Sequence, residues 1–323
     1  MPDTIIQAGE LVKLYRKSKV PAIDGLNLDI KRGIIFTLLG RNGAGKTTFL
    51  RIATTQLMPT SGSLSVFGLD VVKQARPIRK RIAITPQEGR PLFTLNARDH
   101  VMLSLLMRGA TRSEASKKTD QVLRILELSD VAKIHAEELS GGLKQRVLIA
   151  MTLATDVELM FLDEPTIGLD PLNRRKVWEE LIRLKNEEGR TIVLTTHYMD
   201  EAESLSDELA IVDKGRVLSK GTPKEVKERN LSSRVRVDVS SGFSLEELQS
   251  YDRTVRAGNQ LRVLTNNRIA EEISREALRR NVPISIRPVT LDDVFVELVG
   301  GEIDSEEKGA EESLTETREV MVK

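Results

Sequence analysis

Cysteine is missing altogether from this 323-residue chain, which excludes disulfides and thiolate metal sites. Histidine is almost as scarce. The three present, His100, His135 and His197, are scattered too widely to suggest a metal cluster. An excess of one charge is lacking too: 49 basic residues face 48 acidic ones, for a net charge of +1. That balance argues against a nucleic-acid backbone as the main partner. Nor is there a long hydrophobic run. No uncharged apolar stretch approaches the ~20 residues of a membrane span, and Met1–Glu10 lacks the basic start and apolar centre of a signal peptide. The chain is therefore expected to be soluble by itself, with any membrane role coming through a partner.

What is present is organised around Leu38–Thr48, LLGRNGAGKTT. It fits G-x-x-x-x-G-K-[ST], with Gly40, Gly45, Lys46 and Thr47 at the fixed positions, after the apolar run Ile34–Leu39 and before a helix-compatible segment. A strand, a phosphate-binding loop and a helix are expected in that order. Gly40, Gly43 and Gly45 would let the backbone curl so that N–H groups converge on phosphate oxygens, helped by the positive end of the following helix. Lys46 would reach the β- and γ-phosphates, and the Thr47 hydroxyl would be a Mg²⁺ ligand.

The length suits about two domains. Thr4–Leu14 and Pro21–Ile30 read as strands, and Tyr15 suits edge packing or base stacking equally. Thr48–Leu57 reads as a helix ended by Pro59, Ser61–Val72 as a short strand, and Ile82–Ile84 as a strand leading into the loop that holds Gln87. Helical spacing over Leu95–Arg108 and Glu114–Leu128 marks a helical subdomain, at about 90–155, in an otherwise strand-rich chain.

Leu139–Arg146, LSGGLKQR, opens an apolar helix with Ser140 as its N-cap, which by itself is compatible with an ordinary helix start. Leu159–Leu162 reads as a buried parallel strand ending at Asp163-Glu164-Pro165, where two adjacent carboxylates are well placed for metal and water chemistry. Gly168-Leu169-Asp170-Pro171 turns into a helix closed by Gly189. The β-branched run Thr191–Thr196 then leads to His197, whose role could be structural or functional. Glu208–Gly221 reads as a hairpin through Lys214-Gly215, and Pro223–Arg229 as a short helix. Beyond Asn230–Ser233, strand and helix patterns around a turn at Ala257–Gln260 suggest a small βαββαβ-like unit. From Gly301 onward, eight acidic and three basic residues suggest a disordered, solubilising tail.

The order of these signals says more than any one of them. Phosphate loop, strand with Gln87, LSGG, apolar strand with Asp-Glu, GLD turn and strand with His together resemble the ATP-binding subunit of ABC transporters, from Thr4 to about Arg229. LSGGLKQ separates that family from other phosphate-loop NTPases. The resemblance implies an α/β fold: a P-loop NTPase cassette over 1–229, with a mixed sheet core, an antiparallel β subdomain and a helical subdomain. A small α+β accessory domain over 230–300 and the acidic tail over 301–323 would follow.

The resemblance also implies roles. Tyr15 would stack on adenine, and Gly40 with Asn42, Gly43, Ala44, Gly45, Lys46, Thr47 and Thr48 would hold the phosphates of ATP. Thr47, Gln87 and Asp163 would serve Mg²⁺ directly or through water. Glu164 would be the general base, and His197 would hold the γ-phosphate and the attacking water; Gln87 and Lys46 complete the catalytic set. Ser140, Gly141 and Gly142 would complete the site of an opposite subunit, which Asp170 would also contact. A homodimer, or a pair with a second ATP-binding subunit, would close head to tail around two ATPs and reopen on hydrolysis. Membrane permease subunits would receive that motion through the cleft beside Gln87 and the helical subdomain, which places the chain on the inner face of the cell membrane.

The ending Val289–Gly300, VTLDDVFVELVG, resembles the accessory domain of drug, antibiotic and polysaccharide exporters. Arg41 stands where many relatives have Pro, and Leu143-Lys144-Gln145 is closer to the general signature than to variants common in those exporters. Both weaken any inference to one substrate. The alternative is a soluble ABC ATPase acting on nucleic acid or ribosomes, but the long coiled coil or second cassette of such relatives is absent, and no direct nucleic-acid partner is expected.

Overall fold

The computed structural model describes residues 3–87, 89–231, 234–240, 242–257 and 260–299. The chain divides into two compact units, Met1–Pro223 and Lys224–Lys323.

The first unit starts with β1 (Thr4–Lys13) and β2 (Ile23–Lys31). Leu26, Leu28 and Ile30 point inward at every second residue, the period a half-buried antiparallel strand demands. On β1 the same alternation is broken between Ala8 and Leu11 by a bulge, where Glu10 takes a φ of 45°. Next come β3 (Ile35–Leu39), α1 (Lys46–Ala53), β4 (Ser61–Val66), β5 (Leu69–Asp70), α2 (Ala75–Arg81) and β6 (Ile82–Thr85). A helical region follows: α3 (Ala97–Met107), α4 (Arg112–Ile125) and, after a 3₁₀ turn at Ala136–Glu138, α5 (Gly141–Leu153). The unit closes with β7 (Leu159–Asp163), α6 (Pro171–Glu188), β8 (Thr191–Thr196), α7 (Met199–Leu205), β9 (Glu208–Asp213) and β10 (Arg216–Gly221), and α8 (Pro223–Leu231) spans the division.

Strands β2-β1-β4-β5 form an antiparallel sheet, and β10-β9-β3-β8-β7-β6 a mixed one, parallel except for the β9–β10 hairpin. That hairpin turns through Lys214 and Gly215, both at positive φ (47° and 77°), the pairing a two-residue turn needs. Every residue of β3, β7 and β8 is buried, so alternate side chains feed two cores. Phe36, Leu38, Phe161 and Val193 pack with the antiparallel sheet and α1. Ile35, Met160, Leu162, Ile192 and Leu194 pack with α3–α6. Local signals set the helix ends: Asn96 caps α3, Thr111 and Glu114 form a capping box on α4, and Asp170-Pro171 and Gly189 bound α6.

The structure differs from the sequence expectations at four places. Ser61–Val72 is not one strand but the β4–β5 hairpin, turned by Phe67 and Gly68 at φ 58° and 76°. The helix expected from Thr48 to Leu57 starts at Lys46 and stops at Ala53, ahead of Thr55 at φ 63°. Helices α2 and α7 were not anticipated: α2 buries only Ile78 and carries Pro77, so it shows no apolar period to read.

In the second unit β11 (Arg234–Val239), α9 (Leu245–Gln249), β12 (Thr254–Ala257), β13 (Gln260–Asn266), α10 (Asn267–Arg279) and β14 (Ile284–Pro288) are followed by α11 (Leu291–Val299). The antiparallel order β12-β13-β11-β14 is that of a split βαββαβ unit, to which α11 is added. The stretch VTLDDVF earns its form here. Asp293, 1% exposed, accepts from the Thr290 N–H (2.9 Å) and hydroxyl (3.0 Å) and from Arg262 (3.0 Å), which also donates to buried Asp238 (3.0 Å). Gly258 and Asn259 of the expected turn, and the acidic segment 301–323, lie outside the described residues.

Candidate active site

Four adjacent parallel strands, β3, β8, β7 and β6, end on the same side of the mixed sheet, and each hands over to a segment singled out above. The loop 40–45 follows β3, His197 follows β8, Asp163-Glu164 ends β7 and Gln87 follows β6. This is where open α/β sheets place their ligands.

The loop's fixed glycines answer to neighbouring backbone. A Cβ on Gly40, whose φ is not positive, would come 2.3 Å from the Val212 carbonyl oxygen of β9. One on Gly45, at φ 106°, would come 2.4 Å from the Ala22 carbonyl oxygen. Asn42 and Gly43 are exposed at the crest, Ala44 is buried, and no side chain caps α1, which leaves its first N–H groups for an anion. Lys46, 5% exposed, folds its ammonium back onto the carbonyls of Gly40 (2.6 Å) and Arg41 (3.2 Å) and pairs with Glu164 Oε1 at 3.3 Å.

At the next position of α1, Thr47 Oγ1 lies 3.1 Å from Asp163 Oδ1 and 3.5 Å from Gln87 Oε1. Glu164 sits at φ 48°, and its carboxylate is shared: Oε1 faces Lys46, while Oε2 accepts from Gln87 Nε2 (3.2 Å) and meets His197 Nδ1 (3.1 Å). A non-glycine residue held there is strained, and its neighbours maintain it. One of them escaped sequence reasoning. The Thr195 hydroxyl donates to Asp163 Oδ1 (2.6 Å) and accepts from the Glu164 N–H (3.0 Å), bracing both carboxylates from β8. Its only signal was its place at the end of a buried β-branched run.

Tyr15 stands at the edge, 39% exposed, its hydroxyl 3.3 Å from Thr48 Oγ1. It lines a cavity of about 280 Å³ with Leu50, Arg51, Leu57, Gln87 and Asp163. The remaining candidates fall elsewhere. Ser140 caps α5, accepting from Leu143 N–H, and Gly141 faces Gly89–Phe93 across a second cavity. Gly142 packs on the Gly168 carbonyl, and Gln145, missed by the sequence reading as a tie, donates to the Pro165 carbonyl (3.0 Å). Asp170 caps α6 through the N–H groups of Leu172 (3.1 Å) and Asn173 (3.0 Å). The candidates thus fall in two places: Tyr15, the loop, Gln87, Asp163, Glu164 and His197 around the strand ends, and Ser140–Gly142 and Asp170 at the starts of α5 and α6.

The family profile of ABC transporters matches residues 23–167. The daunorubicin/doxorubicin resistance ATP-binding protein DrrA of Streptomyces peucetius is 33% identical over 96% of this chain and 98% of its own. The chain belongs to the ABC transporter ATP-binding proteins. The Nod factor export ATP-binding protein I of Neorhizobium galegae is 34% identical over 94% of this chain and 87% of its own. Among solved structures, an ATP-binding cassette whose dimer is bound to ADP and Pi in a post-hydrolysis state superposes with a TM-score of 0.64, at 27% identity over 68% of this chain and 98% of its own. This ABC cassette binds and hydrolyses ATP.

The cassette's two adjacent carboxylates are tuned in opposite directions. Burial pushes Asp163 up, against the hydroxyls of Thr195 and Thr47. Burial also acts on Glu164, but the hydrogen bond from His197 and the charge of Lys46 outweigh it and hold the carboxyl below its ordinary value. Of the two adjacent carboxyls, Glu164 is therefore the stronger acid and Asp163 the weaker.

Proposed function

We propose that this subunit powers export, closing with a second ATP-binding subunit around ATP and passing the motion to membrane permease subunits. The reading is carried by one arrangement: a strained, buried, ionised Glu164 held within 3.3 Å of Lys46, Gln87 and His197 at the mouth of a phosphate loop. Lys46 and the open N-terminus of α1 bind the triphosphate. Glu164 takes a proton from the attacking water, and His197, as an Nδ1–H donor, keeps that carboxylate ionised and aimed. Thr47, Gln87 and Asp163 offer oxygen donors close together, a set that suits a hard cation, and they would hold Mg²⁺. Bound there, Mg²⁺ would supply charge neutralisation at the phosphates.

Ser140–Gly142, at the start of α5 beside the Gly168 carbonyl, would complete a partner's site; the dimeric cassette among the structural relatives supports this. Asp170, at the same end of α6 as the exposed Leu172, would meet that partner. Downstream of Gln87, a groove of about 890 Å³ combines Leu92, Leu103 and Met107 with Arg79, Arg90 and Arg108, and is the place for a permease segment. The relatives that span nearly the whole chain are named for drug resistance and Nod factor export, which supports export over action on nucleic acid or ribosomes. No helix among the described residues is long and apolar enough to cross a membrane, so association with one would be through the permease.

Glu164→Gln is the test. ATP binding should persist, turnover should fall by about 100-fold or more, and an ATP-bound dimer should accumulate on size exclusion. Normal phosphate release by that variant would sink the role given to Glu164.

A further inference from the structure

Behind the site, Glu201 on α7 is fully buried and makes no ion pair among the described residues. Its Oε1 accepts two hydrogen bonds, from the Thr166 hydroxyl at 2.8 Å and from the Trp178 indole N–H at 2.9 Å, while Oε2 has no hydrogen-bond partner. The three segments joined there are those of the site. Thr166, 1% exposed, lies two residues beyond Glu164; Trp178 is on α6, the helix that Asp170 caps; and Glu201 lies four residues beyond His197. A second tie runs alongside, since Arg174 of α6 reaches Asp200 (3.5 Å) and lies over the Tyr198 ring at 4.7 Å.

We infer that Glu201 is a positioning residue for ATP hydrolysis: by accepting from Thr166 and Trp178 together, it holds the turn bearing Glu164, helix α6 and the turn bearing His197 in one register. A buried oxygen that satisfies one buried and one half-buried donor is costly to remove, because both donors then lose their partner. A displacement of about 1 Å at a catalytic group costs up to about 100-fold in rate, so the tie acts on turnover and not on the grip on ATP, which belongs to the loop and α1. The acid is needed as an acceptor and not as a charge. Burial pushes the carboxyl up, against the hydroxyls of Thr196 and Thr166 and the Trp178 indole, and so works against the charge. A glutamine amide keeps the acceptor without the charge, with its oxygen in the place of Oε1.

The inference rests on the roles proposed for Glu164 and His197. It is tested on the full-length chain by ATP titration and steady-state phosphate release. Thr166→Val and Trp178→Phe each delete one donor while keeping the shape, so they test the tie even if Glu201→Ala fails to fold. Each should bind ATP with unchanged Kd and lose about ten-fold in kcat, while Glu201→Gln should stay within about two-fold of the parent. Parental kcat in both donor variants would overturn the inference, as would a Kd that rises in step with the loss of kcat, or a loss in Glu201→Gln as large as in the donor variants. Glu164→Gln run in parallel separates the two ideas. If it is inactive while the Glu201, Thr166 and Trp178 variants turn over normally, only the positioning role fails; if it turns over normally, the reading of the site itself fails.

Discussion

At the scale of single residues, the site works by assigning different surroundings to Asp163 and Glu164. Glu164 is depressed below its unfolded value, so its contribution to stability is present above the ordinary carboxylate range and is lost as pH falls through its folded pKa. Asp163 is raised, so the cost of ionising it is absent at low pH and grows as pH rises through its folded pKa. Turnover should therefore decline on the acid side as Glu164 takes up its proton. Replacing His197 with Ala removes a hydrogen bond that holds Glu164 down. The acid limb of the kcat profile should then move to higher pH, and kcat should fall about 100-fold; an unmoved limb in that profile would mean that His197 does not tune Glu164. Neither direction was readable from the adjacency of two acidic letters. It depends on the burial of Asp163, and on His197 and Lys46, which reach Glu164 from beyond β8 and from α1.

At the scale of elements, the phosphate loop is as much a packing device as a ligand cradle. Gly40 and Gly45 lie against the carbonyls of Val212 and Ala22, so Gly40→Ala and Gly45→Ala should destabilise the nucleotide-free protein by about 1–3 kcal/mol. Asn42→Ala, at the exposed crest, should change stability by no more than about 0.5 kcal/mol. Urea unfolding without nucleotide distinguishes these, and equal stability of all three variants would return the glycines to a purely ligand-binding role. The sequence motif placed the glycines correctly, but the contact with β9 is between residues about 170 positions apart, which no local pattern records. The same holds for the elements. Long periodic helices such as α4 and buried runs such as β7 were legible from apolar spacing. The hairpin at Phe67-Gly68 was not, because positive φ at a phenylalanine has no composition cue, and α7 is too short to show a period.

At the scale of the whole molecule, each of the two units has its own buried residues, and the drug-resistance relative matches across both of them. In the second unit, Asp238 and Asp293 bind arginines inside the fold, so the VTLDDVF stretch ties α11 to β13 through Asp293 and Arg262. The export reading makes its prediction at this scale. Affinity purification of the full-length chain from detergent-solubilised membranes should recover a membrane permease, and recovery of ribosomes or DNA-bound partners alone would favour the rejected alternative. Permease recovery should weaken when Leu92 and Met107 of the groove are both changed to Asp, since burying an unpaired carboxylate in an apolar contact costs several kcal/mol.

By itself the sequence determined the chemistry: GRNGAGKTT, LSGGLKQ, Asp163-Glu164 and His197 name an ABC ATPase because each motif fixes residue types at short spacing, and short spacing survives without a fold. The tertiary structure alone decided how that chemistry is held. Thr195 braces two carboxylates, Val212 demands Gly40, and Glu201 gathers three segments, because each of these contacts joins strands or helices that only the packed sheet brings together.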